Sequence, residues 1–485
     1  MNWKVISRNV GYALLVSALF MFLSILVSVF NGNDSALAAL IISFTITFIV
    51  GVFPFIFVRK TPSITLKEGY VIITLSWLLS FVFGMLPYAL WGGPFTLQNA
   101  WFESVSGFTT TGATILEDVE ALPRSLLFWR SSTHFIGGLG VVVFLLLVIP
   151  NSSPVRLRLT NMELSSLSRG GYSSRPNKTV FIFASVYLGI WVLSFVSYII
   201  AGMPVFEAVC HSMSVCATGG FSTRNASIAS FDSYAIEAVT YVFMLLSSLH
   251  FGLVFLCIVG RSLKPFSNPV IKFYLLSLAV FSLLSGTSIK ISSLGDISWG
   301  RAVWEGAFQT LSAASTTGFA IADNAHWPHF CNMLLLLMGI MCGCAGSTTG
   351  GIKADRILLL FKSVGCHVGR ILHPSSVNEV RLSRRVLRDE DVYPHLLYIA
   401  VYFVALASST VLCLALGLNP VNSLASSVTS LGNVGPAIGE MGLMGNFGGI
   451  PAMAKYILTL DMFLGRIEIY PVLAVVAMVF DRRAK

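Results

Sequence analysis

Long apolar stretches separated by short polar segments dominate the 485-residue chain. A helix needs about 20 mostly apolar residues to cross the hydrocarbon core of a bilayer. Ten stretches approach or exceed that length, at 10–30, 37–58, 69–90, 126–149, 179–200, 236–260, 270–286, 329–372, 393–416 and 452–480. The pattern therefore predicts an all-α polytopic membrane protein, in which the eighth stretch is too long for one crossing and is interrupted.

One unit occurs four times within this pattern: a long apolar helix, a shorter amphipathic segment, a polar tetrapeptide containing glycine, and a second long apolar helix. The shorter segments, at 97–115, 205–223, 301–321 and 421–439, are expected to enter the membrane as re-entrant half-helices, because they cannot span it. Alignment of the central glycines selects Gly112, Gly219, Gly318 and Gly435, which lie 107, 99 and 117 residues apart. This repetition predicts four helix–pore-loop–helix units around a central ion pathway, with two extra N-terminal transmembrane helices.

The repeat sets the expected domain limits. Residues 1–67 form the N-terminal two-helix extension, and the four repeats cover 68–150, 151–265, 266–388 and 389–485. Ten crossings place both termini on one side of the membrane, and the loops assigned to that side hold most of the 31 lysines and arginines. Since basic residues concentrate in cytoplasmic loops, we expect both termini to be cytoplasmic.

Composition supports a membrane protein, since 55% of the residues are hydrophobic and only 11% are charged. The formal charge of +9 could indicate nucleic-acid binding. It is spread over short loops as an orientation signal, however, so no nucleic-acid partner is expected. No ligand spacing for zinc and no intramembrane catalytic constellation is evident, so we predict neither a covalently bound cofactor nor an enzyme.

The polar tetrapeptides, at 110–113, 218–221, 316–319 and 433–436, hold the candidate ion ligands. A dehydrated cation needs oxygen ligands, and backbone carbonyls provide them without a formal charge that would trap the ion. Carbonyls can point the same way only if one residue adopts a positive φ, which glycine allows. The alternative is that these small residues only permit close packing of helices. The presence of four equivalent loops argues against that alternative. The candidate filter residues are Thr110, Thr111, Gly112, Ala113, Thr218, Gly219, Gly220, Thr316, Thr317, Gly318, Phe319, Asn433, Val434, Gly435 and Pro436.

The eighth stretch is interrupted at 343–353, a segment too rich in Gly, Ser and Thr to remain helical. A phosphate-binding loop is excluded because Ile352 separates the lysine from Gly351 and the preceding element is a membrane helix. Arg466 lies deep in the last helix, where a guanidinium facing lipid is costly. We expect it at an inner constriction of the pathway, with an ion pair to Glu468 or Asp461 as the alternative.

The sequence FTTTGAT in the first loop and FWRSSTHFIGGLG at 128–140 resemble the TrkH/KtrB/HKT superfamily of potassium transporters, the TrkH branch most closely. The resemblance covers the whole chain. It implies potassium uptake across the bacterial inner membrane, with the four glycines lining a selectivity filter. It also implies an intramembrane gating loop formed by Gly346, Ser347, Thr348, Thr349 and Gly350, with Arg466 beside it, although a passive kink remains open.

Further expectations follow for selectivity and partners. One glycine per loop gives fewer ordered carbonyl rings, so Rb⁺ should permeate well and Na⁺ measurably. The resemblance implies a homodimer and a ring of cytosolic nucleotide-binding regulatory subunits, for which the linkers 151–178 and 373–392 offer docking surface. An ion-coupled K⁺ symporter is the alternative function, with Asp461 and Glu468 as deep carboxylates.

Charged residues near the loops have two possible roles. Glu103, Glu207 and Glu305 lie near the starts of three half-helices, where carboxylates complement the helix dipole and can also attract cations. Arg130 and His134 are expected to pack and hydrogen bond behind the first loop.

Overall fold

The structure is a computed structural model that describes all residues except 59–63, 149–175, 293–296, 326, 376–378, 383–384, 388, 437–440, 443 and 481–485. Within the described residues, all regular secondary structure is helical except one short antiparallel pairing of β1 (Arg381–Leu382) with β2 (Arg385–Val386). The predicted all-α fold is confirmed. Most of the basic linker 151–178 lies outside the described residues.

Two N-terminal helices precede the repeats. α1 (Trp3–Phe30) and α2 (Leu37–Phe57) pack along each other, and α1 also packs on α3 and α6, defined below. Gly11 and Gly51 permit this close approach, since a Cβ added to Gly11 would lie 2.7 Å from the Gly51 carbonyl oxygen. The other side of α2 exposes a run of large apolar side chains, as expected for a surface that faces lipid.

The first helices of the four repeats are long and apolar. They are α3 (Leu66–Gly84), continued by the short α4 (Leu86–Trp91), then α7 (Pro176–Ile200), α11 (Pro269–Ser292) and α15 (Asp389–Ala415). Six helices of the described chain, these among them, are long and apolar enough to cross a membrane, and one bent pair would make a seventh. They coincide with seven of the ten predicted stretches.

The four half-helices are present at the predicted positions: α5 (Leu97–Phe108), α8 (Val205–Ala217), α12 (Trp299–Ala314) and α16 (Pro420–Leu431). Three of them begin at a residue whose side chain accepts a backbone N–H, namely Thr96, Ser298 and Asn419. Such N-caps fix the start of a helix, and Pro420 at the first turn of α16 reinforces it. Each half-helix spans only 12 to 16 residues.

The second helices of the repeats are mostly broken. The first repeat has a single helix, α6 (Arg124–Val148). The second has α9 (Tyr234–Ser248) and α10 (Phe251–Gly260), bent by 104°. The third has α13 (His329–Met341) and α14 (Ala354–Leu372), and the fourth has α17 (Ala452–Ile467) and α18 (Tyr470–Phe480). The sequence predicted the third break and missed the other two.

The four repeats close into a ring. The second helix of each repeat packs on the half-helix of the next one: α6 on α8, α9 on α12, α13 on α16, and α17 back on α5. This order brings the C-terminal ends of all four half-helices to the middle of the molecule. The tetrapeptides that follow them are therefore buried at the centre.

Candidate functional site

All four half-helices end with the same backbone motif. The amide of the second tetrapeptide residue donates to the carbonyl five residues earlier, and the four pairs are Thr111–Ser106, Gly219–Ser214, Thr317–Ser312 and Val434–Thr429, at 2.8 to 3.0 Å. This bond is typical of a helix end that reverses through a left-handed residue. The first tetrapeptide residue takes that conformation, with φ of 52 to 55° at Thr110, Thr218, Thr316 and Asn433.

The third tetrapeptide residue is also left-handed, and here the structure corrects the alignment made from sequence. The φ values are 80° at Gly112, 82° at Gly220, 74° at Gly318 and 88° at Gly435. Gly220, not Gly219, is thus the equivalent of Gly112. Gly219 precedes it, and a Cβ on Gly219 would strike the imidazole ring of His134.

The four left-handed glycines form a closed ring, which we call the glycine ring (Gly112, Gly220, Gly318 and Gly435). A Cβ added to each would collide with a backbone carbonyl oxygen of the next loop: Gly112 with Gly219, Gly220 with Thr317, Gly318 with Val434, and Gly435 with Thr111. The last contact returns to the first loop. One carbonyl oxygen per loop, always from the second tetrapeptide residue, therefore lies at the ring.

The outer side of the glycine ring opens into a cavity of about 90 Å³. Its floor includes Gly112, Gly220, Gly318 and Pro436, so all four loops contribute to it. Glu117 lines the wall and is exposed. The four predicted loops thus meet at one small polar cavity.

Serine side chains hold the backbone behind two of the loops. Ser214 donates to the Phe221 carbonyl at 2.8 Å, and Ser312 donates to the Phe319 carbonyl at 2.7 Å. These carbonyls, one residue beyond the ring glycine, are thereby tied to their own half-helices. Phe319, a candidate ligand by sequence, is held this way.

Arg130 joins the first and second loops, and His134 packs against the second. Arg130, only 2% exposed, pairs with Glu103 at 2.8 Å, donates to the Ser222 carbonyl and lies 4.0 Å from the centre of the Phe221 ring. His134 stacks on Phe221 with 4.1 Å between ring centres. Their expected packing role agrees with these contacts, but His134 belongs behind the second loop.

The outer carboxylates link neighbouring elements by ion pairs. Glu207 pairs with Arg224 at 3.2 Å, and Arg301 contacts Glu305 at 2.7 Å and Glu237 at 3.0 Å. With Glu103 held by Arg130, the three glutamates singled out by sequence are all bound to arginines. The Glu103 and Glu207 pairs each join two segments, whereas the Glu305 pair lies within α12.

A further bridge joins the outer loops of the first two repeats. Asn225 donates to the Asp118 carboxylate at 2.9 Å and accepts from the Val119 amide at 2.7 Å. Hydrogen bonding by the Asn225 amide lowers the pKa of Asp118 below its usual value. The Asn225 side chain therefore connects the two loops through both its donor and its acceptor atoms.

The 343–353 loop lies directly on the inner side of the glycine ring. The Gly350 amide donates to the Thr316 hydroxyl at 3.3 Å, and the Thr348 hydroxyl lies 3.3 Å from the carbonyls of Cys216 and Ser247. Ser347 bonds within the loop, to the Cys344 carbonyl at 2.6 Å and the Thr349 hydroxyl at 2.7 Å. The loop therefore contacts the second and third repeats.

Arg466 completes this inner junction. It is 7% exposed and donates to the Thr348 carbonyl at 2.6 Å and the Gly137 carbonyl at 3.0 Å. These bonds join the fourth repeat to the 343–353 loop and to α6 of the first repeat. The guanidinium thus connects the fourth repeat with the third and the first on the inner side of the glycine ring.

The two carboxylates considered as partners of Arg466 are engaged elsewhere. Glu468 binds Lys353 at 2.9 Å and Arg356 at 2.7 Å. Asp461 accepts a hydrogen bond from Ser409. We call the group Lys353, Arg356 and Glu468 the inner clasp, because it ties the end of the 343–353 loop to the break between α17 and α18.

The break between α9 and α10 is a second feature that the sequence analysis missed. The Phe251 amide donates to the Gly346 carbonyl at 3.0 Å, and the Cys344 amide donates to the Ser248 carbonyl at 2.9 Å. A Cβ on Gly346 would lie 2.9 Å from the His250 ring. The break at 249–250 therefore receives the 343–353 loop. Its local signal is short, consisting of Ser247, Ser248, His250 and Gly252 within an otherwise apolar run.

Comparison with known proteins gives full-length matches. A sequence profile of the family TrkH, described as a cation transport protein, matches residues 37–483. The Trk system potassium uptake protein TrkH of Halomonas elongata is 32% identical over 100% of both chains. Its namesake from Escherichia coli K12 is 32% identical over 99% of this chain and 100% of its own. The crystal structure of the potassium transporter TrkH from Vibrio parahaemolyticus superimposes with a TM-score of 0.88 at 29% identity, covering 99% of this chain and 100% of that one.

Proposed function

Because this chain belongs to the TrkH family of cation transport proteins, we propose that it takes up potassium by channel-like permeation through the glycine ring. The observation that carries the proposal is the cyclic contact of four loops, in which each ring glycine touches a carbonyl of the next loop. Four converging carbonyl oxygens replace the hydration shell of a cation. Four half-helices also direct their partially negative C-terminal ends toward this point.

The proposed filter is short. The ring carbonyls are those of Thr111, Gly219, Thr317 and Val434. The next carbonyls outward in two loops, at Phe221 and Phe319, are tied to serines. A filter with few complete rings of oxygen ligands discriminates only modestly between K⁺ and other alkali ions. Rb⁺ therefore permeates well and Na⁺ permeates measurably.

The 343–353 loop and Arg466 act as the gate in this proposal. They lie on the inner side of the ring and are cross-linked by the bond from Arg466 to the Thr348 carbonyl. A buried positive charge beneath a cation filter opposes conduction, since like charges repel strongly at low dielectric. Glycines within the loop provide hinges for its release.

The proposed location, oligomeric state and regulation of the protein follow from its charge distribution and its family. We place the protein in the bacterial inner membrane with both termini cytoplasmic, because the basic residues concentrate on that side. A homodimer and a cytosolic ring of nucleotide-binding regulatory subunits complete the system. Support for the regulator is the position of α14, which begins at the inner clasp and is joined to the basic pairing β1–β2 by a hydrogen bond from Lys362 to the Arg381 carbonyl.

An ion-coupled K⁺ symporter is the second candidate, and buried Asp461 is the observation that favours it. This side chain is 4% exposed and hydrogen bonds to Ser409. Current–voltage recordings separate the two functions. The reversal potential of a channel follows the K⁺ gradient, is shifted by Na⁺ only as far as its lower permeability allows, and does not respond to an H⁺ gradient. A symporter instead shifts its reversal potential with the gradient of the coupled H⁺ or Na⁺ by the amount that the coupling ratio fixes.

The filter assignment is tested by Gly112→Ser and Gly318→Ser, with uptake of K⁺, Rb⁺ and Na⁺ measured in membrane vesicles. Serine in left-handed backbone costs about 1–2 kcal/mol, and its Cβ would displace the adjoining carbonyl. We expect the K⁺ to Na⁺ uptake ratio to fall at least about threefold, a change of about 0.7 kcal/mol in relative barriers. Gly189→Ser is the matched control, because open space surrounds that glycine. Unchanged ratios in both ring variants would contradict the assignment.

A further inference from the structure

The first residue of each tetrapeptide carries a side-chain oxygen and directly precedes the residue whose carbonyl lies at the glycine ring. These residues are Thr110, Thr218, Thr316 and Asn433, all buried and all left-handed. Within the described part of the chain, Thr110 Oγ1 and Asn433 Oδ1 have no hydrogen-bond partner. A buried acceptor left unsatisfied costs about 1–3 kcal/mol. The two oxygens are therefore suited to an additional ligand.

Gly350 of the 343–353 loop lies beside two of these side-chain oxygens. The Gly350 amide donates to Thr316 Oγ1 at 3.3 Å, and a Cβ on Gly350 would lie 2.7 Å from Asn433 Oδ1. The amide hydrogen is the positive end of the peptide dipole. Arg466, bonded to the Thr348 carbonyl two residues earlier, adds a full positive charge at the same level. A cation bound by the inner oxygens would be repelled by both groups.

We propose that an alkali cation at this inner edge competes with the Gly350 N–H for the Thr316 hydroxyl, so that ion occupancy favours release of the 343–353 loop. The inference rests on the proposed function, because it requires the permeating ion to occupy the ring. Coupling of this kind is reciprocal: a closed loop weakens cation binding at the inner edge, and a bound cation disfavours the closed loop. Transported K⁺ would in this way help to open its own gate.

The test measures the accessibility of the loop to a thiol reagent. Ser347→Cys is introduced, because Ser347 is half-buried and belongs to the loop. Inside-out vesicles are treated with a membrane-impermeant maleimide in K⁺ or in choline at equal ionic strength. The protein without the added cysteine gives the background of Cys257 and Cys366, the two native cysteines that are partly accessible. We expect K⁺ to increase the labelling rate about fivefold, the lower end of usual allosteric coupling.

Three variants on the Ser347→Cys background locate the coupling. Thr316→Val removes the hydroxyl while keeping the β-branched shape, and the K⁺ effect should vanish. Thr316→Ser keeps the hydroxyl, and the effect should remain. Thr410→Val removes a hydroxyl that donates to the Leu406 carbonyl of its own helix, away from the four loops, and should leave the effect in place.

Two results would overturn the inference: equal labelling in K⁺ and choline with Ser347→Cys alone, or a K⁺ effect that persists in Thr316→Val. Neither outcome affects the proposed function, which is judged by K⁺ flux through the parent protein in the same vesicles. Absence of that flux would reject the proposed function itself.

Discussion

Left-handed backbone at a β-branched residue is rare, yet three threonines adopt it here, one in each of the first three loops. The fourth loop has Asn433 at that position, the residue type that tolerates this conformation best after glycine. Such conformations persist only where the surrounding structure enforces them. Their repetition at four equivalent points shows that the four loops share one backbone conformation despite the difference in residue type.

At the residue scale, sequence identified the tetrapeptides but misplaced one glycine. The pair Gly219-Gly220 offers two possible alignments, and glycine alone cannot distinguish them. A hydroxyl residue lies six positions before every left-handed glycine, at Ser106, Ser214, Ser312 and Thr429. That second marker would have selected Gly220. The ion pairs of Glu103 and Glu207 could not be foreseen, because Arg130 and Arg224 follow 27 and 17 residues later in other elements, at no fixed helical spacing.

Glu117 is expected to concentrate cations at the outer mouth, since it is exposed and lines the cavity above the glycine ring. Glu117→Gln should lower initial K⁺ uptake about twofold at 10 mM ionic strength, where the Debye length is about 30 Å. At 1 M salt, where the Debye length is about 3 Å, the difference should vanish. Asp323→Asn is the control, because exposed Asp323 does not line this cavity. Equal uptake by Glu117→Gln and the parent at low salt would refute this role.

For single elements, the lengths and N-caps of helices can be recognised in the sequence, whereas the positions of helix breaks can be predicted only in part. The third break contains a run of Gly, Ser and Thr, which disfavours helix. The break at Glu468 has no such run, and Glu468 adopts a φ of 59°. Its carboxylate is bound by Lys353 and Arg356. Tertiary contacts outweighed local helix propensity at this point.

Arg466 is expected to restrict flow by charge and by cross-linking. Arg466→Ala removes both effects and should raise K⁺ flux at least about tenfold, or about 1.4 kcal/mol. Arg466→Lys keeps the charge, but a lysine lacks the planar fork that spans the carbonyls of Thr348 and Gly137. It should therefore give an intermediate flux. Unitary currents of the three proteins in planar bilayers provide the measurement, and a lower flux in Arg466→Ala would contradict the assignment.

The inner clasp is expected to hold the 343–353 loop closed. Glu468→Gln leaves Lys353 and Arg356 without their buried counter-charge, and loss of one partner of a buried pair costs about 3–5 kcal/mol. Basal ²²Na⁺ or ⁸⁶Rb⁺ leak should rise severalfold, and thermal stability should fall.

Arg381→Gln is the matched control for the clasp. It breaks the exposed pair with Glu379, and exposed pairs contribute about 0–1 kcal/mol. Leak and melting temperature should therefore match those of the parent. A clasp variant with reduced stability but unchanged leak would assign Glu468 a purely structural role.

At the scale of the whole molecule, the fourfold repeat made the architecture predictable. The repeated unit carries a polar loop in each of its four copies, and the backbone groups of these loops need polar partners within the membrane. A ring around one axis is one of the few arrangements that provides such partners for all four loops. The cyclic packing of each second helix on the next half-helix is that ring. The departures from symmetry, namely one intact second helix and a single long interruption, come from contacts between repeats that sequence does not display.

Potassium permeation through the glycine ring requires that one alkali ion is held at the centre of the ring. Crystals of the protein in Rb⁺, measured at the rubidium absorption edge, test this directly. We predict an anomalous peak on the axis between the carbonyl oxygens of Thr111, Gly219, Thr317 and Val434, lost in Gly318→Ser. Rubidium density elsewhere, with the ring empty, would contradict the account.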